Sequence, residues 1–276
     1  MRVAAVQLNS NADKGRNLSA AERLVREAAA DGAEFVALPE KWNLLAGGEE
    51  LAAGAEPLDG PSLAAARGWA RELGIHLLAG SISERGEGEK ASNTSVLIGP
   101  EGDDLAVYRK IHMFDVEAGG VTYRESEFER PGSDVVAAEV GGLTVGLTVC
   151  YDLRFPELFR ILALRGARLI VVPSAFTLAT GRDHWEVLLR ARAIENQLFV
   201  LAPNQYGEAP PHYSSFGRSM IVDPWGVVLA TVADGEGFVA ADLDLAGQDR
   251  VRQSLPSLAN RQPGAYAWPQ PTEAPA

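Results

Sequence analysis

Apolar positions along the chain follow two periodicities, which together predict strands alternating with helices. Short, mainly apolar segments bounded by turn-forming residues predict strands at residues 2–8, 35–38, 75–81, 93–99, 105–109, 143–149, 169–173, 199–203, 219–222 and 227–232. Apolar residues that recur every three or four positions predict helices at 61–73, 156–165 and 184–197. An earlier helix is expected to have Asn17 as its N-cap and to end at Gly32.

This alternation predicts an α/β domain in which sheets are covered by helices. Residues 143–149 are apolar nearly throughout, as expected for a strand that is buried on both faces. No linker interrupts the pattern, so residues 1–250 are predicted to form a single domain. Residues 251–276 are rich in proline and are predicted to be a partly extended C-terminal extension.

Composition and charge narrow the possible partners. The 276 residues are 46% hydrophobic, which is enough for a sizeable core. The net charge of -12 would repel nucleic-acid phosphates and anionic membrane surfaces, so neither is an expected partner. The chain lacks an apolar run long enough for a transmembrane helix, and its first residues do not resemble a signal peptide. A cytoplasmic location is therefore expected.

Several kinds of site have no support in the sequence. A single cysteine excludes an intramolecular disulfide and zinc sites built on CxxC pairs. The histidines at 76, 112, 184 and 212 lack metal-ligand spacing, so no metal site is predicted. The absence of a GxGxxG motif, a P-loop and a GxSxG elbow argues against a nucleotide-cofactor enzyme and a serine esterase.

Three predicted strands end at side chains that carry chemistry: Glu40, Lys110 and Cys150. In open α/β sheets, ligands bind at the carboxyl ends of strands, so these three side chains are candidates for one shared pocket. Taken singly, each has a simpler explanation. Cys150 fits an inert buried thiol, Glu40 a surface carboxylate, and Lys110 beside Arg109 a solvated basic pair.

Together, the three side chains suit the hydrolysis of an amide. Cys150 would be the nucleophile, and Glu40 would accept and return protons. Lys110 would favour the thiolate and stabilise the tetrahedral oxyanion with its positive charge. The backbone N–H of Tyr151 is a candidate second donor to that oxyanion.

The segments around these residues resemble the nitrilase superfamily, and more closely its Nit branch, from the first strand to about residue 245. The matching segments are VALPEKWN around Glu40, YRKIHMFDVE around Lys110, CYDLRFPELFR around Cys150, PSAFTLATGRDHWEVLLRARAIENQ and GRSMIVDPWG. The resemblance implies a four-layer α-β-β-α sandwich, a Glu-Lys-Cys triad and no cofactor. It also implies homodimers or larger homo-oligomers that pair the outer helices.

The resemblance also implies a second glutamate, which falls on Glu125 in the stretch YRESEFERPG. Its expected role is to hold Lys110 and the substrate in place, although Glu127 and Glu129 are nearby alternatives. For substrate binding, the candidates are Tyr151, Arg154 and Phe176, and Phe155 and Trp185 are further aromatic candidates for the pocket lining.

Arg154 is the main candidate for substrate recognition, because a guanidinium can bind a substrate carboxylate in a bidentate manner. Relatives that act on carboxylate-bearing substrates have an arginine at this position. The alternative for Arg154 is an ion pair with Asp152 or Glu157 that only shapes the loop.

The expected activity is that of an amidase that releases ammonia from a small carboxylate-bearing amide through a cysteinyl thioester. The stretches ESEF and HWEVLLRARAIENQ resemble the Nit enzymes that act on deaminated glutathione more than the omega-amidases, which act on α-ketoglutaramate. N-carbamoyl amino acid hydrolysis stays open, since it uses the same triad and an arginine at this position.

Two other hypotheses are less favoured. Nitrilases usually have Trp and Glu after the cysteine, whereas Tyr151 and Asp152 follow it here. A non-catalytic scaffold protein on the same fold is disfavoured because all three residues of the triad are present.

Overall fold

Two β-sheets lie face to face between two layers of helices in the computed structural model, which describes residues 1–86, 88–209 and 213–266. The strands are β1 Arg2–Leu8, β2 Phe35–Ala37, β3 His76–Leu78, β4 Ile82–Glu84, β5 Ala91–Ile98, β6 Asp104–Arg109, β7 Asp115–Ala118, β8 Val121–Arg124, β9 Glu129–Arg130, β10 Ala137–Val140, β11 Leu143–Leu147, β12 Leu169–Val171, β13 Phe199–Ala202, β14 Asn204–Ala209, β15 Tyr213–Phe216, β16 Met220–Val222, β17 Val228–Thr231 and β18 Gly237–Asp242. The helices are α1 Lys14–Ala30, α2 Gly48–Ala53, α3 Pro61–Leu73, α4 Glu125–Phe128, α5 Pro156–Leu164, α6 Leu178–Asn196 and α7 Leu245–Ser254.

The first sheet is built around the parallel strands β1, β2 and β3. Its main path runs β15-β14-β1-β2-β3-β5-β4, with β18 paired to β1 and both β6 and β9 paired to β5. The second sheet has the order β10-β11-β12-β13-β16-β17, and its strands β11, β12 and β13 are parallel. Strands β7 and β8 form a separate hairpin.

Strand β1 shows why the first sheet needs apolar residues on both faces. Val3 and Ala5 belong to the apolar cluster shared with the second sheet, whereas Ala4, Val6 and Leu8 belong to the cluster under α1 and α3. Successive side chains of a strand point to opposite faces, so an unbroken apolar run is what a central strand requires. Helices α5 and α6 cover the other side of the second sheet in the same way.

Most of the predicted elements are confirmed, with shifts at their ends. The helix predicted at 61–73 is α3, and Gly74 ends it in the left-handed conformation that favours glycine, with a φ of 65°. Strands predicted at 219–222 and 227–232 are the antiparallel pair β16 and β17. Within the described residues, no helix has both the length and the apolar character needed to span a bilayer.

Two helix starts were predicted wrongly. Asp13, not Asn17, caps α1, because its side chain accepts a hydrogen bond from the Arg16 N–H. The Asn17 side chain is instead buried, where it donates to the backbone oxygens of Asn11 and Asn43. Helix α6 begins at Leu178 rather than at residue 184, because its polar, glycine-containing first turns give no apolar periodicity.

The predicted domain boundary at residue 250 falls inside α7. Gln248 of this helix is buried and donates to the backbone oxygens of Arg168 and Gln197, so α7 packs on the same core as the second sheet. Of the predicted extension, residues 267–276 lie outside the described residues. The division at residue 250 therefore stays a prediction.

Candidate active site

The ends of three strands bring Glu40, Lys110 and Cys150 to one pocket. Glu40 follows β2, and Lys110 follows β6 directly. Strand β6 is antiparallel to β5, which is antiparallel to β3, so β6 runs in the same direction as β2. The carboxyl ends of β2 and β6 therefore lie at the same edge of the first sheet, and Cys150 follows β11 of the second sheet.

Cys150 begins a 3-10 turn in a strained backbone conformation. Its φ of 48° lies in the left-handed region, which costs a residue with a side chain about 1–2 kcal/mol. The cysteine N–H donates to the Pro173 carbonyl at 2.9 Å, and the residue is 8% exposed. Backbone strain of this kind often marks functional sites, where the surrounding structure holds the residue in place.

The turn that carries Cys150 is fixed to the segment that carries Lys110 by one buried carboxylate. Asp152 accepts hydrogen bonds from the Val149 N–H at 2.8 Å and from the Tyr108 hydroxyl at 2.6 Å. The imidazole of His112 lies 2.7 Å from the other oxygen of Asp152. Tyr108 and His112 stand on either side of Lys110 in sequence, so Asp152 sets the position of Cys150 relative to Lys110.

Lys110 lies between two glutamates and is almost entirely buried. Its ammonium is 3.2 Å from Glu40 Oε1 and 2.9 and 2.7 Å from the two carboxylate oxygens of Glu125. The Asn93 side chain donates to both carboxylates, at 2.8 Å to Glu40 and 3.0 Å to Glu125. Asn93 was not predicted as a site residue, because a polar residue inside a buried strand has no periodic signature.

Backbone N–H groups complete the hydrogen bonding of both glutamates. Ala175 donates to Glu40 Oε2 at 2.8 Å, and Phe114 donates to Glu125 Oε2 at 2.6 Å. Because charged acceptors that are fully bonded lose little on burial, the two carboxylates can remain anions inside the protein.

The electrostatic environment favours the charged forms of Lys110 and Glu125 and the protonated, neutral form of Cys150. Burial opposes the charge of Lys110, but Glu125 and then Glu40 outweigh it and raise its pKa well above the usual value. Burial would raise the pKa of Glu125, but Lys110 outweighs it and lowers that pKa to about 2. Burial, and then the charge of Glu40, raise the pKa of the Cys150 thiol well above the usual value.

Lys110 acts on the thiol in the expected direction, but other groups outweigh it. Lys110 does lower the pKa of Cys150, as expected, but burial and Glu40 outweigh it. The resting sulfur is therefore a thiol rather than a thiolate.

A cavity of about 340 Å³ opens over these groups. All seven candidate residues line it: Glu40, Lys110, Glu125, Cys150, Tyr151, Arg154 and Phe176. The two further aromatic candidates do not. Phe155 stacks on His112 with ring centroids 3.5 Å apart, and Trp185 is buried behind Phe176 and donates to the Arg218 carbonyl.

Arg154 has no acidic partner among the described residues. Its guanidinium carbon lies 5.2 Å from the Phe176 ring centre and 5.9 Å from that of Tyr151. Its Nη1 is 3.3 Å from Nδ1 of His184. Within the described part of the chain, neither Asp152 nor Glu157 pairs with it, so the alternative of a loop-shaping ion pair loses its support.

The family assignment follows from comparison with known proteins. The model of the carbon-nitrogen hydrolase family matches residues 2–253. The chain belongs to this family. It is therefore a hydrolase that acts on carbon–nitrogen bonds other than peptide bonds, and the predicted nitrilase-superfamily fold and Nit-branch resemblance are confirmed.

This carbon-nitrogen hydrolase is similar to two kinds of curated amidase. It is 39% identical over 267 residues to the human omega-amidase NIT2, covering 96% of each chain. It is 42% identical over 273 residues to the mouse deaminated glutathione amidase, covering 96% of this chain and 84% of that protein. The structure superposes on the NitFhit protein of C. elegans with a TM-score of 0.90 and 36% identity, covering 96% of this chain and 66% of that chain.

Among the described residues, no group of three or more His, Cys, Asp or Glu side chains is arranged to hold a metal ion. The polar groups of the pocket instead bond to one another, and the chemistry proposed below uses only these groups.

Proposed function

We propose that this carbon-nitrogen hydrolase cleaves a small amide that bears a carboxylate, through a cysteinyl thioester and with release of ammonia. The observation that carries the proposal is the meeting of the Cys150 thiol, Glu40 and Lys110 in one buried pocket, with 3.2 Å between the ammonium of Lys110 and Glu40. A nucleophile, a base and a fixed positive charge are the groups that amide hydrolysis requires.

In the acylation step, the sulfur of Cys150 attacks the amide carbonyl carbon while its proton passes to Glu40. The carbonyl oxygen gains negative charge, which the charge of Lys110 and the backbone N–H of Tyr151 would stabilise. Tyr151 is in the first turn of a 3-10 helix, where N–H groups lack partners within the helix. The carbon–nitrogen bond then breaks, and Glu40 returns the proton to the departing nitrogen, which leaves as ammonia.

In the deacylation step, water attacks the thioester carbon and gives a proton to Glu40. The carbon–sulfur bond breaks, the carboxylic acid product leaves, and the sulfur takes the proton back from Glu40. Glu125 would keep Lys110 charged and fixed throughout, which the two hydrogen bonds between these side chains support.

Arg154 is the proposed binding group for the substrate carboxylate, because it is a cation in the pocket wall without an acidic partner among the described residues. Phe176 and Tyr151 would hold the guanidinium plane and contact the apolar part of the substrate. Deaminated glutathione or a related ω-amide of a keto acid is the proposed substrate, and an omega-amidase activity on α-ketoglutaramate is the alternative. The similar identities to the two kinds of relative support both.

The test is ammonia release by the purified protein from both amides, an N-carbamoyl amino acid and a nitrile. We expect turnover of at least one of the two amides and none by the Cys150→Ala variant. Carbon dioxide released together with ammonia would identify N-carbamoyl hydrolysis instead. Turnover that survives in Cys150→Ala would contradict the mechanism.

A homodimer or larger homo-oligomer, formed through the outer helices α5 and α6, is also proposed. These helices pack side by side and expose apolar residues, among them Leu164 and Val187, which is 66% exposed. Val187→Glu should reduce the mass measured by light scattering, whereas Leu105→Glu, on a strand of the first sheet, should not. A monomeric wild-type protein would contradict this proposal. The cytoplasmic location stays a prediction.

A further inference from the structure

A second lysine is buried beside the Glu40–Lys110–Glu125 cluster. Lys41 follows Glu40 directly and is 4% exposed, with a φ of 54° in the left-handed region. Its ammonium forms an ion pair with Glu129 and donates to the hydroxyl of Ser83 at 2.8 Å. Its backbone N–H donates to the hydroxyl of Ser81 at 3.2 Å. The strained backbone and the bonds to buried partners mean that the surroundings hold this lysine in one position.

The partner of Lys41 leaves one carboxylate oxygen without a donor. Glu129 is 3% exposed, and its Oε1 accepts from Lys41 and from the hydroxyl of Ser83 at 2.9 Å. Its Oε2 is sealed from solvent and receives no hydrogen bond from the described residues. The carboxyl group of Glu125 lies near enough for its negative charge to raise the pKa of Glu129.

The pocket therefore contains two adjacent carboxyl groups, each bonded to its own ammonium. Glu125 is bonded to Lys110, and Glu129 is bonded to Lys41. Burial and the charge of Glu125 raise the pKa of Glu129, even though Lys41 opposes them. Two neighbouring carboxylates without sufficient positive charge hold one proton in common.

We propose that Lys41 is a positioning residue for the proposed reaction, which balances the charge of Glu129 so that Glu125 and Lys110 can act without an excess negative charge beside them. This inference rests on the proposed function. Lys41 would act through Glu129 rather than on the substrate, because its buried ammonium is bonded to Glu129 and Ser83.

Other charged and titratable groups surround the two carboxyl groups on the elements packed around them. They are Glu40, Lys41, Glu49, Glu50, Lys90, Lys110, Asp115, Arg124, Glu127, Arg130 and Cys150. Lys90 and Asp115 are bonded to the backbone of Ser126, and Lys41 is the cation that contacts Glu129. Removal of Lys41 should therefore change the pKa of Glu129 more than that of the other groups.

The test is the pH profile of kcat/KM for ammonia release by Lys41→Met. At low pH, Glu129 in this variant should keep its proton, and activity at about pH 6 should stay within about threefold of the wild type. As the pH rises, the proton leaves and adds a negative charge that opposes the oxyanion. Activity should then fall about tenfold below the wild type by about pH 8.5, as a new descending limb. KM should change little.

The double variant Lys41→Met/Glu129→Gln removes the group that titrates, so the new limb should disappear and the alkaline activity should recover. A matched control is Lys14→Met, which breaks the ion pair of Lys14 with the buried Glu56 outside the pocket. This control should leave the shape of the profile unchanged. A purely structural role for Lys41 predicts an equal loss at every pH that Glu129→Gln does not repair, and that result would overturn the inference.

A second measurement separates this inference from the proposed function. Cys150 is the only cysteine, so its alkylation by iodoacetamide is followed by intact mass without a substrate. Lys41→Met should slow alkylation at about pH 8.5 severalfold, and Glu129→Gln in the same chain should restore it. If the wild-type protein releases no ammonia from the amides, the proposed function is wrong. Alkylation profiles that are the same in wild type and Lys41→Met would reject the role of Lys41.

Discussion

The two walls of the pocket differ in how their cations are paired with carboxylates. On the wall built by the first sheet, the ammonium groups of Lys110 and Lys41 are buried and bonded to carboxylates. On the wall built by the second sheet, Arg154 lies over aromatic rings and lacks a carboxylate partner among the described residues. Paired charges are fixed before a substrate arrives, whereas an unpaired cation is free to bind one. Changes on the first wall should therefore affect turnover, and changes on the second should affect binding.

The largest effect is expected from Lys110→Met on the first wall. Loss of the ammonium leaves Glu40 and Glu125 without their cation and removes the positive charge proposed to face the oxyanion. We expect kcat to fall by about 1000-fold, with KM nearly unchanged, in the ammonia-release assay. Thermal unfolding of the variant checks that it is folded. A change confined to KM would contradict the assignment of turnover to the first wall and of binding to the second.

Arg154→Met on the second wall should give the opposite result. A charge-assisted hydrogen bond to a substrate carboxylate contributes about 1.5–3 kcal/mol, so KM for a carboxylate-bearing amide should rise about 10- to 100-fold. The control is an uncharged aliphatic amide, whose KM should not change. Equal effects on both amides would mean that Arg154 shapes the pocket rather than binds the carboxylate.

The pH dependence of alkylation tests the sign of the charges on the first wall. The negative charge of Glu40 raises the pKa of the Cys150 thiol, whereas the positive charge of Lys110 lowers it. Glu40→Gln should therefore move the midpoint of iodoacetamide alkylation to lower pH by about one unit, and Lys110→Met should move it to higher pH. Midpoints that move in the same direction in both variants would contradict the assigned environment of the thiol.

The last prediction concerns the stability of the protein and the residue that joins the two walls. Asp152 accepts hydrogen bonds from Tyr108 of the first sheet and from Val149 in the turn of the second. Asp152→Asn places an amide donor against these donors and should lower the free energy of unfolding by about 1–3 kcal/mol in urea denaturation. The control is Asp223→Asn in an exposed turn, where water can replace the lost bonds. Equal losses of unfolding free energy in both variants would mean that Asp152 stabilises the protein no more than a carboxylate in an exposed turn does.

The reactive residues at the ends of strands could be predicted from the sequence, whereas the residues that pack behind them could not. Glu40, Lys110 and Cys150 follow apolar strands, so both their burial and their common edge follow from elementary sheet geometry. Lys41 was not singled out and Glu129 was named only as an alternative to Glu125, because a lysine after a turn and a glutamate in a charged stretch look like solvated residues. Their pairing depends on contacts between segments far apart in the chain, which one sequence does not encode in any local pattern.

The same limit explains the errors in the fold. The four-layer sandwich was predicted from the family resemblance and is confirmed, but strands β4, β7, β8, β9, β10, β14, β15 and β18 were not predicted. Strand β18 is half-buried, and its apolar run is only four residues long, two of them alanine, between Gly237 and Asp242, so its apolar signal is short. It forms because its backbone pairs with β1 over six residues, from Arg2 with Asp242 to Gln7 with Gly237. A partner supplied by tertiary structure completes a strand whose local signal is short.

The pairing of β1 with β18 also has a consequence for how the chain is made. The first strand to leave the ribosome cannot complete its hydrogen bonds until residue 242 has been synthesised, and synthesis proceeds at roughly 5–20 residues per second. Until then, one edge of the nascent sheet is open to neighbouring chains. Contacts between such distant segments slow folding, so a chaperone that shields this strand early should raise the yield of native protein.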